Sequence, residues 1–193
     1  MTKPVIIAFT GRKGHGKDSA AVMLKDIFPK ENPRIAYFAF ASILKDIVQR
    51  SLDLSLDDIE HIKHNDNIKI ANGKNFRQYI NDLGDAIKSY FGFNIWAEKT
   101  IQRIQDTNKD LELDLILITD LRYPIEYTYL KKFSEDEGID FYTIKVINLN
   151  QVINKEEEHE SEYLVDEIPA DFTIEASTLE ELREKLKEII NAI

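Results

Sequence analysis

The sequence contains no cysteine, so it can form neither a disulfide framework nor a metal site built from thiolates. This absence fits a protein of the reducing cytosol. A long apolar run is also missing at the start of the chain. Residues 1–9 are too few for a signal peptide and far too few to span a membrane. We therefore expect a cytoplasmic protein without a membrane partner.

Positive charge is scarce in this sequence relative to negative charge. The chain has 25 Lys and Arg residues against 35 Asp and Glu residues, a net charge of −10. General binding to nucleic acid requires an excess of Lys and Arg, so the composition argues against a nucleic-acid partner. One pocket can still be locally positive and bind an anionic small molecule. A hydrophobic fraction of 43% in 193 residues suffices for a single domain over 1–193.

Short apolar runs alternate with segments of helical periodicity along the chain. The runs that predict buried strands are 5–9, 35–40, 113–118, 141–147 and 172–174. Apolar residues at helical spacing follow the first run, fill the long stretch between the second and third, and reach the end of the chain. This alternation predicts a three-layer α/β/α fold with a mostly parallel five-stranded sheet. A helical insertion is expected at about 41–107.

The segment after the first predicted strand nearly fits the motif G-x-x-x-x-G-K-[ST]. It reads Gly-Arg-Lys-Gly-His-Gly-Lys-Asp-Ser at 11–19. Such a loop turns its N–H groups toward phosphate oxygens, and the following helix adds its N-terminal dipole. The alternative is a glycine-rich turn with a surface lysine. We expect the phosphates of ATP to be bound by Gly11, Lys13, Gly14, His15, Gly16, Lys17, Asp18 and Ser19.

Two residues of this loop have more specific expected roles. Lys17 can reach the β- and γ-phosphates, which makes it a candidate catalytic residue. Asp18 stands where a Ser or Thr normally holds Mg²⁺, and Ser19 comes next. A carboxylate is a good Mg²⁺ ligand, directly or through water. The loop therefore predicts that the protein uses ATP and Mg²⁺.

The third predicted strand runs into Thr-Asp-Leu-Arg at 119–122. Ligands of open α/β sheets bind at the carboxyl ends of the strands. Asp120 is therefore expected to hold Mg²⁺ or a water bound to it, and Arg122 to contact a phosphate with its planar guanidinium. In the alternative interpretation Asp120 caps the next helix and Arg122 pairs with Glu126.

Four stretches of the chain also fit the motifs of one known family. Residues 11–19 are similar to G-x-x-x-S-G-K-D-[ST], and 38–45 to F-A-x-P-L-K. Residues 118–126 are similar to D-x-R-[FY]-P-x-E, and 159–174 to H-x-S-E followed by A-D-x-x-I. Together they resemble the deoxynucleoside monophosphate kinases of bacteriophages, within the P-loop kinase superfamily. The sequence departs from the family at Ser42, at Glu175 and in the lack of arginine at 148–154.

The resemblance implies transfer of the γ-phosphate of ATP to a deoxynucleoside monophosphate. Lys45 and Arg77 would hold the acceptor phosphate, Arg122 would share the transferring charge, and Phe38 and Trp96 would flank the base. The substrate-binding residues it implies are Phe38, Lys45, Arg77, Trp96, Arg122, Glu126 and His159. A homodimer is an expectation from the family alone.

Other functions remain open at this point. Phosphomevalonate kinases of the animal type share a similar Lys-Asp loop and D-x-R segment, and dephospho-coenzyme A kinase is a weaker match. A non-catalytic nucleotide-binding module or a regulatory NTPase would bind ATP without a small acceptor. The cations Lys45, Arg77 and Arg122 argue against that class. A kinase of nucleic-acid ends is disfavoured by the low isoelectric point.

Overall fold

A computed structural model describes residues 3–63, 65, 67–151 and 161–193. Within these ranges the chain alternates between strands and helices. The strands are β1 (Val5–Thr10), β2 (Ile35–Phe38), β3 (Leu115–Leu121), β4 (Asp140–Asn148) and β5 (Phe172–Ala176). The helices are α1 (Lys17–Ile27), α2 (Phe40–Ser51), α3 (Leu56–Lys63), α4 (Phe76–Phe91), α5 (Ile95–Leu111), α6 (Pro124–Glu137), α7 (Ser161–Leu164) and α8 (Leu179–Ala192).

The five strands form one sheet in the order β2-β3-β1-β4-β5. Every neighbouring pair is parallel, which confirms the predicted parallel sheet. The chain passes from β3 on one side of β1 to β4 on the other side. A crevice at such a point of reversal, beyond the carboxyl ends of the strands, is where ligands of open α/β sheets bind. The loop after β1 lies at this point.

Both faces of the sheet are covered by helices, because β1 is apolar on both sides. Ile7 and Phe9 belong to the cluster under α1 and α8, and Ile6 and Ala8 to the cluster under α5 and α6. All four side chains are fully buried. The predicted three-layer α/β/α fold is confirmed. No helix in the described ranges combines the length and the apolar character that a membrane crossing requires.

The helical insertion between β2 and β3 has a small core of its own. The insertion comprises α2 to α5 and runs from Phe40 to Leu111, slightly beyond the predicted 41–107. Its core is separate from the clusters on the two faces of the sheet. The buried members of that core are Val48, Ile59, Ile62 and Phe76.

The second predicted strand, 35–40, is too long by two residues, since β2 ends at Phe38 and α2 begins at Phe40. The reason is a contact distant in sequence. The carboxylate of Asp120 accepts hydrogen bonds from the N–H groups of Phe40 (2.7 Å) and Ala41 (3.0 Å). These are donors of the first helical turn that would otherwise lack a partner, so Asp120 fixes where the helix starts.

Candidate functional site

The loop after β1 is shaped by its glycines. Gly11 has a φ of +135°, and a Cβ there would lie 2.4 Å from the carbonyl oxygen of Val146 in β4. Gly16, with a φ of +89°, is the N-cap residue of α1. Residues with a Cβ avoid such φ values. The glycines therefore let the loop run close against β4 and turn directly into the N-terminus of α1.

Lys17, the first residue of α1, places its ammonium group inside this loop. The side chain is buried, and Nζ donates hydrogen bonds to the carbonyl oxygens of Gly11 (2.7 Å) and Arg12 (2.8 Å). Burial, together with the nearby charge of Arg122, lowers the pKa of Lys17 to about 8. Taking this cation out of water is unfavourable unless an anion compensates it. The site is thus suited to receive negative charge.

The other loop residues differ in exposure. Lys13, Gly14 and Asp18 are exposed, and Ser19 is half-buried. His15 is buried, with Nδ1 3.2 Å from the carbonyl oxygen of Val146. Burial lowers its pKa below the ordinary value, so the imidazole is neutral at neutral pH. His15 therefore acts in the structure as a packing residue between the loop and β4.

Asp120 lies half-buried at the end of β3 and caps α2. The alternative interpretation placed this cap on the next helix, but α6 is capped by Glu126 instead, which closes a capping box with the N-cap residue Tyr123. Burial raises the pKa of Asp120, while the N–H groups of Ala41 and Phe40 oppose that rise. Both oxygens are used by the cap, and each keeps a second lone pair for a water or a metal.

The oxygen donors around the loop fit a magnesium ion. In the described ranges no group of three or more acidic or histidine side chains could hold a metal by itself. Mg²⁺ in phosphotransfer sites is typically held by one or two carboxylates together with substrate phosphates and waters. Asp18 in the first turn of α1 and Asp120 at the end of β3 both raise the pKa of Lys17 by their charge, so together with Ser19 they offer such a set around Lys17. Magnesium binding by Asp18 and Asp120 stays a prediction.

Arg122 and Glu162 join two distant parts of the chain at the mouth of the loop. The guanidinium of Arg122 donates to Oε1 of Glu162 over 2.5 Å. The other oxygen of Glu162 accepts the backbone N–H of Lys13 over 2.6 Å. Burial alone would raise the pKa of Glu162, but these partners hold it below the ordinary value. Glu162 is therefore a carboxylate anion bound at a loop predicted to bind phosphate.

Glu126 lies beneath the site and is not open to it. Only 5% of the residue is exposed. Its Oε2 accepts hydrogen bonds from the N–H groups of Arg122 (2.9 Å) and Tyr123 (3.0 Å). Burial and the nearby Asp120 raise its pKa to about 8. The structure thus gives Glu126 a structural role, and its expected substrate contact stays a prediction. The expected pairing with Arg122 involves the backbone N–H of Arg122, because its guanidinium pairs with Glu162.

The expected acceptor residues lie in different surroundings. Phe38 and Trp96 are partly buried and pack on the cluster under α5 and α6. Lys45 is exposed on α2, and its charge lowers the pKa of Asp120, so it lies near the loop side of the site. Arg77 is exposed in the first turn of α4, on the insertion. His159 lies outside the described residues, so its expected role stays a prediction.

Sequence reasoning missed the acidic residues around α7. Glu162 stands in the H-x-S-E motif, but no role was assigned to it. Asp166 accepts hydrogen bonds from Arg12 (2.8 Å) and Lys145 (2.7 Å). Arg12 and Asp166 are 154 positions apart, so local pattern carries no signal of this pairing. The motif was the only available pointer to this segment.

A small cavity opens beside the loop, between the ends of β4 and β5. Its volume is about 140 Å³. It combines apolar walls with a few polar groups, which is typical of sites for small organic groups. Residues that line it include His15, Gly16, Asn148, Thr178, Leu179 and Leu182.

No family model and no curated protein matches this sequence. Solved structures do match over nearly the whole chain. A protein designated APE1195 is 16% identical, with a TM-score of 0.55 and coverage of 100% of this chain and 98% of that one. The APS kinase CysC of Mycobacterium tuberculosis, in complex with AMPPNP and APS, is 16% identical, with a TM-score of 0.51 and coverage of 99% and 98%.

A third match, the tunicamycin resistance protein of Deinococcus radiodurans, is 11% identical, with a TM-score of 0.50 and coverage of 98% and 96%. At such identities the likeness establishes the fold and nothing finer. The five-stranded parallel sheet with helices on both faces is the architecture that this chain and the APS kinase match have in common. The chain therefore has the fold of P-loop kinases.

Proposed function

We propose that this protein transfers the γ-phosphate of ATP to a deoxynucleoside monophosphate, giving ADP and the deoxynucleoside diphosphate. The observation that carries the proposal is the meeting of three motif stretches at one point. Glu162 links the loop at Lys13 and the end of β3 at Arg122, although Lys13 and Glu162 are 149 positions apart. The two more specific motifs of the resemblance, D-x-R-[FY]-P-x-E and H-x-S-E, supply Arg122 and Glu162.

The donor side of this proposal rests on the loop. The triphosphate of ATP would lie against the loop N–H groups and the N-terminus of α1, with Lys17 at the β- and γ-phosphates. Asp18, with Ser19 or Asp120, would hold Mg²⁺, which neutralises the phosphate oxygens when bound. The cavity of about 140 Å³ would take the base or sugar of the donor, with Asn148 and Thr178 as its polar contacts.

The acceptor side rests on cations from three elements. Arg122 comes from the end of β3, Lys45 from α2 and Arg77 from α4. Lysine and arginine side chains both bind phosphate oxygens in proteins, and arginine can donate two parallel hydrogen bonds to them. Phe38 and Trp96 are partly exposed and would flank the base. The choice of a deoxynucleoside monophosphate over other phosphorylated acceptors rests on the motif resemblance.

The proposed step needs little covalent help from the protein. An oxygen of the acceptor phosphate forms a bond to the γ-phosphorus while the bond from that phosphorus to the β–γ bridging oxygen breaks. ADP leaves with the electron pair of the broken bond. Catalysis then consists of alignment and of neutralising the charge on the transferred group. Lys17 and Arg122 supply that positive charge from the two sides of the loop mouth.

The test is an assay of ADP release with ATP and Mg²⁺ and a panel of acceptors. The panel contains dAMP, dGMP, dCMP, dTMP, their ribose counterparts and phosphomevalonate. We expect turnover that depends on a deoxynucleoside monophosphate. Lys17→Ala should reduce it by about 1000-fold or more, because charge stabilisation is the main catalytic effect. Lys25→Ala is the matched control, since Lys25 is an exposed lysine in the last turn of the same helix.

Other outcomes assign a different function. Turnover with phosphomevalonate alone would keep the phosphotransfer and change the acceptor. ATP hydrolysis that ignores every acceptor would favour a regulatory NTPase. Nucleotide binding without turnover would leave a non-catalytic module.

A further inference from the structure

Glu162 makes the contacts that a bound phosphate would make. Its carboxylate bridges the N–H of Lys13 (2.6 Å) and the guanidinium of Arg122 (2.5 Å). It is also close enough to Lys17 for each charge to shift the pKa of the other. A loop N–H, an arginine fork and a buried lysine are donors that bind phosphate oxygens. In this structure the carboxylate of Glu162 interacts with all three of these groups.

A second acid of the same segment engages two more cations. Asp166, four positions after Glu162, accepts from Arg12 in the loop and from Lys145 in β4. The segment 162–168 is anchored by two buried side chains. Val165 (0% exposed) lies between the two acids, and Ile168 (4% exposed) follows the second. Glu162 lies on the N-terminal side of this anchor, where it accepts the N–H of Lys13. The segment therefore combines a fixed end with an anionic contact at the site.

We propose that Glu162 occupies the subsite of the donor's terminal phosphate and must leave it before that phosphate can bind. The inference rests on the proposed function. A carboxylate and a phosphate at the same N–H would repel each other, so only one of them can hold it. When Glu162 leaves, Arg122 loses its partner and becomes available to the phosphate. The carboxylate of Glu162 thus positions Arg122 in the ligand-free protein, and the guanidinium pairs with the terminal phosphate of ATP once Glu162 has left.

The contact also predicts discrimination between ATP and ADP. Lys13 stands in the outer part of the loop, whereas Gly16 and Lys17 lie at the helix N-terminus, where the inner phosphates are expected. A diphosphate can bind at the inner part without displacing Glu162. A triphosphate cannot. Glu162 should therefore weaken the binding of ATP more than that of ADP, and should return to its place after the transfer.

The first test compares dissociation constants of AMPPNP and ADP, with Mg²⁺, by calorimetry. Glu162→Gln keeps the shape of the side chain but removes its charge. We expect it to tighten AMPPNP about tenfold and to change ADP by less than twofold. The control Glu167→Gln alters an exposed acid of the same segment and should change neither.

Three results would count against the inference. Unchanged or weaker AMPPNP binding by Glu162→Gln would make Glu162 a structural strut. Equal tightening of AMPPNP and ADP would be a general charge effect. Tightening of a deoxynucleoside monophosphate in place of AMPPNP would move the subsite to the acceptor. Failure of the wild-type protein to bind either donor nucleotide would instead overturn the proposed function, and the inference with it.

A second measurement uses the wild-type protein, so it does not depend on the folding of a variant. The N–H groups of Asp166 and Glu167 donate to the carbonyl oxygens of Tyr163 (3.0 Å) and Leu164 (3.1 Å). Departure of Glu162 should loosen this turn. We expect hydrogen exchange in a peptide covering 162–168 to become at least threefold faster with AMPPNP and to stay unchanged with ADP. Unchanged or slower exchange with AMPPNP would contradict the displacement.

Discussion

The two sides of the candidate site are supported by different parts of the hydrophobic core. The loop side lies on the sheet: Gly11 touches β4, and β1 beneath the loop is fully buried from Ile6 to Thr10. Two of the expected acceptor cations, Lys45 and Arg77, lie on the insertion, whose separate core contains the four buried residues Val48, Ile59, Ile62 and Phe76 among those described. Donor-side residues such as Gly11 and Lys17 are therefore buried directly against the main core. Acceptor-side residues such as Arg77 are exposed to solvent on helices of the insertion.

Because of this difference, substitutions on the loop side and on the insertion should have different effects on stability and on ligand binding. On the loop side a change disturbs the fold and the binding of phosphate together, because the same backbone serves both. On the insertion a change at an exposed residue should affect the acceptor alone. The three predictions below test that division.

The same substitution in each region gives the largest expected contrast. Gly11→Ala places a Cβ 2.4 Å from the Val146 carbonyl oxygen at a φ of +135°. We expect it to lower the free energy of unfolding by about 3 kcal/mol, from strained backbone and overpacking, and to abolish nucleotide binding. Gly73 in the insertion also has a positive φ, +73°, but nothing lies within 4 Å of an added Cβ.

Gly73→Ala should therefore cost about 1 kcal/mol, from backbone conformation alone, and should leave nucleotide binding intact. Urea denaturation and calorimetry with AMPPNP measure the two effects. If both variants lost the same stability, the loop would be no more tightly held than the insertion, and the contrast between the regions would be wrong.

The fold was predictable because its signals are local. Apolar runs of strand length, the glycine loop and the helical stripes each lie within a few residues, and the parallel pairing of the strands follows from their alternation with helices. The boundary of β2 was wrong, since the cap that starts α2 at Phe40 comes from Asp120, 80 positions later. No pattern near Phe40 records that partner.

The sequence signals for the candidate site are local as well, and the roles of its residues stay predictions. Lys17 and Arg122 stand in motifs whose context is a strand end, and the structure brings them together at the loop. The motif that contains Glu126 does not reveal that the carboxylate turns inward onto N–H groups of its own turn. The contacts of Glu162 and Asp166 depend on tertiary folding, so residue spacing could not give them.

The buried acid of the loop side should make stability depend on pH. Glu126 has a pKa raised to about 8, mainly by burial and then by Asp120. A pKa above the unfolded value contributes stability that is present below about pH 4.5 and is lost as the pH rises through about 8. The free energy of unfolding should fall by an amount on the order of a few kcal/mol between those limits.

Urea denaturation at intervals from pH 5 to pH 9 measures this dependence. Glu126→Gln stays neutral and should remove most of the slope, so the difference between it and the wild type isolates the contribution of Glu126. Asp82 is an exposed acid of the insertion that pairs with Lys74. Asp82→Asn should therefore run parallel to the wild type. A wild-type profile parallel to that of Glu126→Gln would show that Glu126 stays ionised.

The smallest expected effect concerns acceptor binding on the insertion. The charge of Lys45 lowers the pKa of Asp120, so Lys45 lies near that carboxyl, whereas Arg77 is an exposed residue in the first turn of α4. Lys45→Ala should raise the KM of the deoxynucleoside monophosphate about tenfold, and Arg77→Ala about threefold, because the charge of Lys45 already acts on a carboxyl of the site. The KM of ATP and the urea midpoint should stay unchanged in both variants, since both side chains are exposed.

Lys74→Ala is the matched control, because it removes an exposed insertion lysine that pairs with Asp82 and was given no part in the site. Initial rates at varied ATP and acceptor concentrations separate the two KM values. A rise in the KM of ATP in Lys45→Ala would mean that the insertion also contributes to the donor side, and the division between the regions would then run through α2. A larger effect in Arg77→Ala than in Lys45→Ala would mean that α4 contributes more to acceptor binding than α2 does.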